Sequence, residues 1–168
     1  MKLFFRTIDS ISDWSGKVCS FLVFVGIFIL SFEVIARYFF GAPTVWAHGY
    51  SQRIFGSYFV LVGAYTLLNN GHVRVDIIYQ RFSLRKRAFL DVINYTMLLI
   101  WSFVLMKEGW TFFMNSFQIR EADEMVLAHP IYPVKFLLII GAALITIQGI
   151  NRLIVSIIVL VKGAKYEY

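Results

Sequence analysis

Apolar residues run along this chain in four long blocks, and the stretches that divide them predict how the blocks are joined. Residues 17–40, 46–69, 88–113 and 131–161 each read as a helix at or beyond the about 20 residues a hydrocarbon core requires. Gly41-Ala42-Pro43 stops the first block. The link to the second is so short that only an antiparallel hairpin can use it. Asn69-Asn70-Gly71 ends the second block, Arg85-Lys86-Arg87 precedes the third, and His129-Pro130-Ile131-Tyr132-Pro133 launches the fourth. The fourth block is longer than a bilayer needs, so tilt or a protruding end is expected. The pattern predicts an all-α membrane protein, a single integral membrane domain over residues 1–168, with four transmembrane helices in two antiparallel hairpins.

Two shorter stretches alternate at helical spacing. In residues 3–14, Phe4, Ile8 and Ile11 fall on one side and Arg6, Asp9, Ser12 and Asp13 on the other. In residues 73–82, Ile77, Ile78 and Phe82 share a face, with Arg74, Gln80 and Arg81 elsewhere. Both predict short amphipathic helices in the interface, held at anionic headgroups, so membrane lipids are expected partners. For residues 3–14 a frayed polar leader is an equally open reading. Lys2, Arg6 and Lys17 before an apolar run resemble a secretory signal. That run is too long and ends in Glu33–Arg37 instead of small residues, so a retained signal anchor is expected.

Composition agrees with the pattern. The chain is 59% hydrophobic and 15% charged, with mean hydropathy +0.70, against roughly 45–50% apolar in soluble domains. Its 168 residues leave no room for a separate soluble enzyme. The net charge of +6 does not point to nucleic acid, because the basic residues cluster beside the apolar blocks and so act as an orientation signal. Lys2, Arg6 and Lys17 lie before the first block, Arg74, Arg81, Arg85, Lys86 and Arg87 between the second and third, and Lys162 and Lys165 after the fourth. The first connection carries no charge, and the third sets Arg120 against Glu121, Asp123 and Glu124. Both termini are therefore expected in the cytoplasm.

Ionisable residues inside apolar blocks are costly and should face protein, water or the interface. Glu33 and Arg37 form an i,i+4 pair, roughly 22–30 Å from the cytoplasmic edge at 1.5 Å per residue. Arg53 and Glu108 reach about 25 and 28 Å on the same scale. Two readings are open: Arg37, Arg53 and Lys107 extend separately to outer phosphates, or Glu33, Arg37, Arg53 and Glu108 face one another or a protein neighbour. Separate extension suits Lys107, and pairing suits Glu33 with Arg37. Arg152 is expected to reach the cytoplasmic interface.

Transport chemistry is hard to find in these blocks. Carriers break helices near the midplane to free backbone groups for solute, whereas Pro43, Pro130 and Pro133 stand at block boundaries. The blocks show no central polar cluster, which argues for a supporting subunit. His48 and His129 lie at outer ends and His72 at an inner end, which rules out a three-histidine metal site. A His48–His129 haem pair remains arithmetically open. Cys19 begins an apolar helix with no histidine nearby in sequence. The chain has no phosphate loop, zinc spacing or hydrolase elbow. No catalytic residue, cofactor or metal is expected.

The run ARYFFGAPTVWAHGYSQRIF, followed by GAYTLLNNGHVRVDIIY, resembles the small membrane subunit of tripartite ATP-independent periplasmic (TRAP) transporters. The residues that carry the resemblance are Arg37, Tyr38, Phe40, Pro43, Trp46, Gly63, Ala64, His72 and Asp76. It extends more weakly through the acidic outer loop and the Pro-rich entry to the fourth block, then Gly141 and Gln148. Where many members carry acidic residues after the turn tryptophan, this chain has Ala47-His48-Gly49, so any role of that carboxylate is not carried over.

The resemblance implies a partnership in the bacterial inner membrane with a large transport subunit and a periplasmic binding protein, in sodium-driven uptake of a small organic anion such as a carboxylate. It implies that Glu33, Arg37, Arg53, Glu108, Trp46, His72 and Asp76 serve the subunit interface. It also implies that His48 in the first turn, with Glu121, Asp123 and Glu124 in the outer loop, helps dock the binding protein; a solvated acidic loop, with His48 as a polar residue of the interface, is the other open reading. The alternatives are a haem- or quinone-associated anchor of a membrane oxidoreductase and an autonomous small exporter.

Overall fold

The computed structural model describes residues 2–69, 82–123 and 128–163. Among these residues the regular structure is helical, with one isolated bridge between Ala122 and Pro130. The elements are α1 (Lys2–Phe39), α2 (Ala47–Leu61), α3 (Gly63–Leu68), α4 (Leu84–Gln118) and α5 (Tyr132–Lys162). Helices α1, α4 and α5 are long and apolar enough to cross a membrane.

Residues 3–14 correct one expectation, because they are not a separate interfacial helix. They form the first turns of α1, which runs unbroken for 38 residues. The physical reason lies on the polar side of that segment: Ser12 is buried at 2% exposure and, with Asp9, hydrogen-bonds to side chains of α5. Phe5 and Ile8 are buried as well. Ile8 on one side and Asp9 and Ser12 on the other are thus held by the bundle, while Arg6 and Ile11 stay exposed. The expected amphipathic stretch 73–82 falls almost wholly outside the described residues.

The second apolar block is also less regular than its sequence predicts. Helix α2 ends at Leu61 and α3 starts at Gly63, with Val62 between them still in right-handed geometry. Val62 N–H donates to Tyr58 (2.9 Å), and the Val62 carbonyl accepts from Thr66 N–H (2.9 Å). The axis is loosened here, not cut. Gly63 contributes, since glycine weakens a helix by about 1 kcal/mol relative to alanine.

Close contacts fix the directions of the helices. Gly16 meets Tyr65 and Gly26 meets Phe55, so α1 runs antiparallel to α2 and α3. Gly141 meets Val60 and Gly63 meets Ile145, so α5 runs parallel to α2 and α3. Ser102 pairs with Thr146 and Phe113 with Phe136, which sets α4 antiparallel to α5. Helix α5 is the spine: it packs on all four others, while α4 leans chiefly on α5. A Cβ on Gly141 would lie 2.3 Å from Val60 Cγ1 and 2.7 Å from the Val60 carbonyl oxygen. Only a hydrogen fits there, and the two backbones approach accordingly.

Candidate functional site

The two ends of the bundle carry different chemistry. At one end lie the α1–α2 turn and the α4–α5 loop. Helix α1 closes with Gly41 at φ +60° and a hydrogen bond from Ala42 N–H to the Ala36 carbonyl (3.0 Å). The turn then folds back on Glu33. One carboxylate oxygen of Glu33 accepts from Arg37 Nε (3.0 Å) and Nη2 (2.5 Å), and the other from Thr44 N–H (3.0 Å) and the Thr44 hydroxyl. Glu33 is buried, whereas the Arg37 side chain keeps 54% exposure. Trp46 sits at the N-cap of α2, stacked on Phe32 at 6.0 Å and edge-on to Tyr50. His48 is exposed.

The α4–α5 loop is held even more closely. Helix α4 ends in a Schellman arrangement, with Glu121 N–H donating to the Ser116 carbonyl (2.9 Å) and Arg120 N–H to the Phe117 carbonyl (3.2 Å). Arg120 takes the left-handed position at φ 49°, and Ala128 stands at φ 43°. Non-glycine residues hold such angles at a cost of order 1 kcal/mol, which surrounding structure must offset. Here the two legs of the loop are pinned by Asp123 N–H to the His129 carbonyl (2.9 Å) and Ile131 N–H to the Glu121 carbonyl (3.0 Å).

Arg53 of α2 staples the same two legs from outside. Its Nη2 donates to the Asp123 carboxylate and to the His129 carbonyl (3.2 Å). Tyr50, one turn earlier, hydrogen-bonds His129 Nε2 at 3.0 Å. On the far side, Lys135 pairs with Glu121 at 2.5 Å and lies over the Phe112 ring. The Lys135 ammonium holds the Glu121 carboxyl below the usual carboxylate range. Two of the acidic loop residues are thus engaged inside the chain.

The remaining predicted residues are placed as follows. Glu108 faces outward, its side chain 66% exposed, with the Lys107 ammonium 3.7 Å away. It lines a surface groove of about 380 Å³ with Gly109, Thr111, Phe112, Asn115 and Leu138. Arg53 therefore meets the outer loop and not Glu33 or Glu108. His72, Asp76 and Glu124 lie outside the described residues.

Sequence reasoning missed a polar cluster across the bundle. Asp9 Oδ1 accepts from Gln148 Nε2 and Asn151 Nδ2, both at 2.9 Å, and the Ser12 hydroxyl donates to Gln148 Oε1 (2.9 Å). Gln148 and Asn151 are fully buried. The available signal was a glutamine and an asparagine three apart in an otherwise apolar helix, together with the polar face of residues 3–14. Arg152 Nη2 donates to the Leu68 carbonyl (2.6 Å), capping α3 instead of reaching outward. Lys135 and Thr44 were also missed; each is legible only once its carboxylate partner is known. Among the described residues no group of three or more His, Cys, Asp or Glu side chains is arranged to hold a metal.

Comparison with known families decides the class. The family described as tripartite ATP-independent periplasmic transporters, DctQ component, matches residues 26–158. The chain belongs to that family. It is a small permease component of a TRAP transporter, a multi-pass membrane protein of a tripartite system. The match takes in the last part of α1 and continues into α5, including Arg53, the outer loop, Gln148 and Asn151. It lends no support to an oxidoreductase anchor. No curated protein matches the chain.

Proposed function

We propose that this chain is the non-catalytic small subunit that steadies the large transport subunit of a TRAP carrier and helps seat the periplasmic binding protein. The observation that carries this reading is the state of the interior polar groups. Gln148, Asn151, Asp9 and Ser12 bond to one another, and Thr146 bonds to Ser102 (3.0 Å). Groups bonded to each other in this way hold helices together and leave few polar atoms for a passing solute, Asn151 Oδ1 being one that keeps no partner. In this reading α2 and α3 jointly make the fourth crossing, both termini are cytoplasmic by the distribution of basic residues, and the membrane is the bacterial inner membrane. The large subunit performs sodium-coupled uptake of a small organic anion, a carboxylate by family resemblance.

The partner-facing surface follows from exposure. An outward carboxylate in an apolar surface is expensive unless protein or water covers it, and Glu108 beside its groove meets that description. The same holds for an outward guanidinium, and Arg37 keeps 54% side-chain exposure beside Glu33. We assign Trp46, His72 and Asp76 to the same interface, a reading that the resemblance to the family supports. For docking, shape counts beside bare charge: Arg53 pairs with Asp123 and Lys135 with Glu121, which joins the two legs of the outer loop before any partner arrives. We assign exposed His48 and, from the sequence, Glu124 to the same docking surface. Co-purification with the large subunit tests the interface. Glu33→Ala, Arg37→Ala and Glu108→Ala are each expected to lower the recovered complex several-fold; unchanged yields in all three would reject this surface.

A further inference from the structure

At the opposite end of the bundle, where α4 begins and α5 ends, there is an apolar hollow of about 390 Å³. Phe82, Phe89 and Leu90 wall it from the α4 side, Leu160 from α5, and Arg85 and Lys86 contribute their aliphatic stems. Its volume falls in the range of roughly 300–1,000 Å³ typical of small-ligand pockets. Long basic side chains line such a wall with their methylenes while the charged heads stand at the rim.

The rim is cationic. Arg85, Lys86 and Lys162 are exposed, and no carboxylate of the described residues pairs with them. The Arg85 guanidinium lies against the α5 cap, where a Cβ on Gly163 would stand 2.9 Å from its Nε. Arg85 and Lys86 occupy the first turn of α4, which has no acidic residue and no side-chain cap from Ser83. Cations there oppose the helix dipole at a cost to stability. An anion placed among them would reverse that cost. The hollow also lies at the ends of two helices long enough to cross a membrane, the depth at which acyl chains give way to phosphates.

We propose that this hollow binds an anionic phospholipid of the bilayer, with an acyl chain against Phe82, Phe89, Leu90 and Leu160 and the phosphate against Arg85 and Lys86. The proposal rests on α4 and α5 crossing the membrane, but not on any partner subunit. Native mass spectrometry of the full chain in detergent tests it, using palmitoyl-oleoyl phosphatidylglycerol and the phosphatidylcholine of the same chains. The wild type should retain the anionic lipid about tenfold better. Arg85→Gln with Lys86→Gln should bring the two lipids level, Leu160→Trp should cut retention of both, and Lys107→Gln should change nothing. Equal retention by the wild type would mark ordinary annular contact and overturn the proposal, whether or not the variants fold. A preference undiminished in the double variant would overturn it too. Because the chain is measured alone, failure here leaves the small-subunit reading standing, and failed co-purification leaves the lipid site standing.

Discussion

The two ends of the bundle solve the same problem, charge beside an apolar body, in opposite ways. At the loop end the chain supplies both signs: Glu33 with Arg37, Arg53 with Asp123, and Lys135 with Glu121. At the basic end Arg85, Lys86 and Lys162 have no carboxylate partner among the described residues. A surface whose charges are satisfied internally keeps its shape before any partner arrives, which suits docking. A surface with unmatched cations depends on what surrounds it, which suits a membrane face.

The largest effect should come from removing the staple at the loop end. Breaking a fully buried ion pair costs about 3–5 kcal/mol. Arg53 and Asp123 retain 20% and 16% side-chain exposure, so Arg53→Ala should cost about 2–3 kcal/mol of loop order. Binding-protein-dependent uptake should fall at least roughly tenfold, with recovery of the large subunit and of bound lipid unchanged. Wild-type uptake would show that the loop shape is irrelevant to docking. A parallel loss of bound lipid would show that the two ends are not independent.

Next in size is the buried cluster between α1 and α5. Asp9→Ala strips the carboxylate from the Gln148 and Asn151 amides, whose burial leaves no water to replace it. That should lower stability by about 1–3 kcal/mol, read as an earlier midpoint in denaturant, while uptake by the surviving complex stays near wild type. Unchanged stability would remove the cluster from the list of interactions holding α1 to the spine.

Smallest is a pH effect confined to the loop end. Glu121 has its folded value pulled below the ordinary 4.5 by Lys135. Its contribution is therefore complete above the unfolded value and disappears as pH falls through the folded one. The stability gap between wild type and Glu121→Gln should be present at neutral pH and close as the medium is acidified below 4.5. A gap that widens on acidification would contradict the assigned sign.

Much of the architecture was legible because long apolar blocks and turn residues are local signals. Gly41 and Pro43 mark the first turn, and the family motif from Arg37 to Asp76 lies within one hairpin. What was not legible depends on pairing across the fold. Nothing local in Asp9 says that it meets residues of α5 139 and 142 positions away, so the polar side of residues 3–14 resembled a solvent face. Arg53 could be set at the depth of Glu33 and Glu108 from the sequence, but nothing local joined it to Asp123, 70 positions away. Glu33 with Arg37 was readable because one helix turn brings them together.

The central claim is that this bundle holds a partner and does not carry solute, and the accessibility of its interior tests it most directly. In a Cys19→Ser background, cysteine placed at Ser102 or Ser57, both buried, would be exposed to a membrane-impermeant thiosulfonate reagent in the working complex, with exposed Gln118 as the control. The account predicts rapid labelling at position 118 and none at 102 or 57 during turnover. Labelling of the two interior positions at the control rate would reveal a hydrated passage through these helices and contradict it.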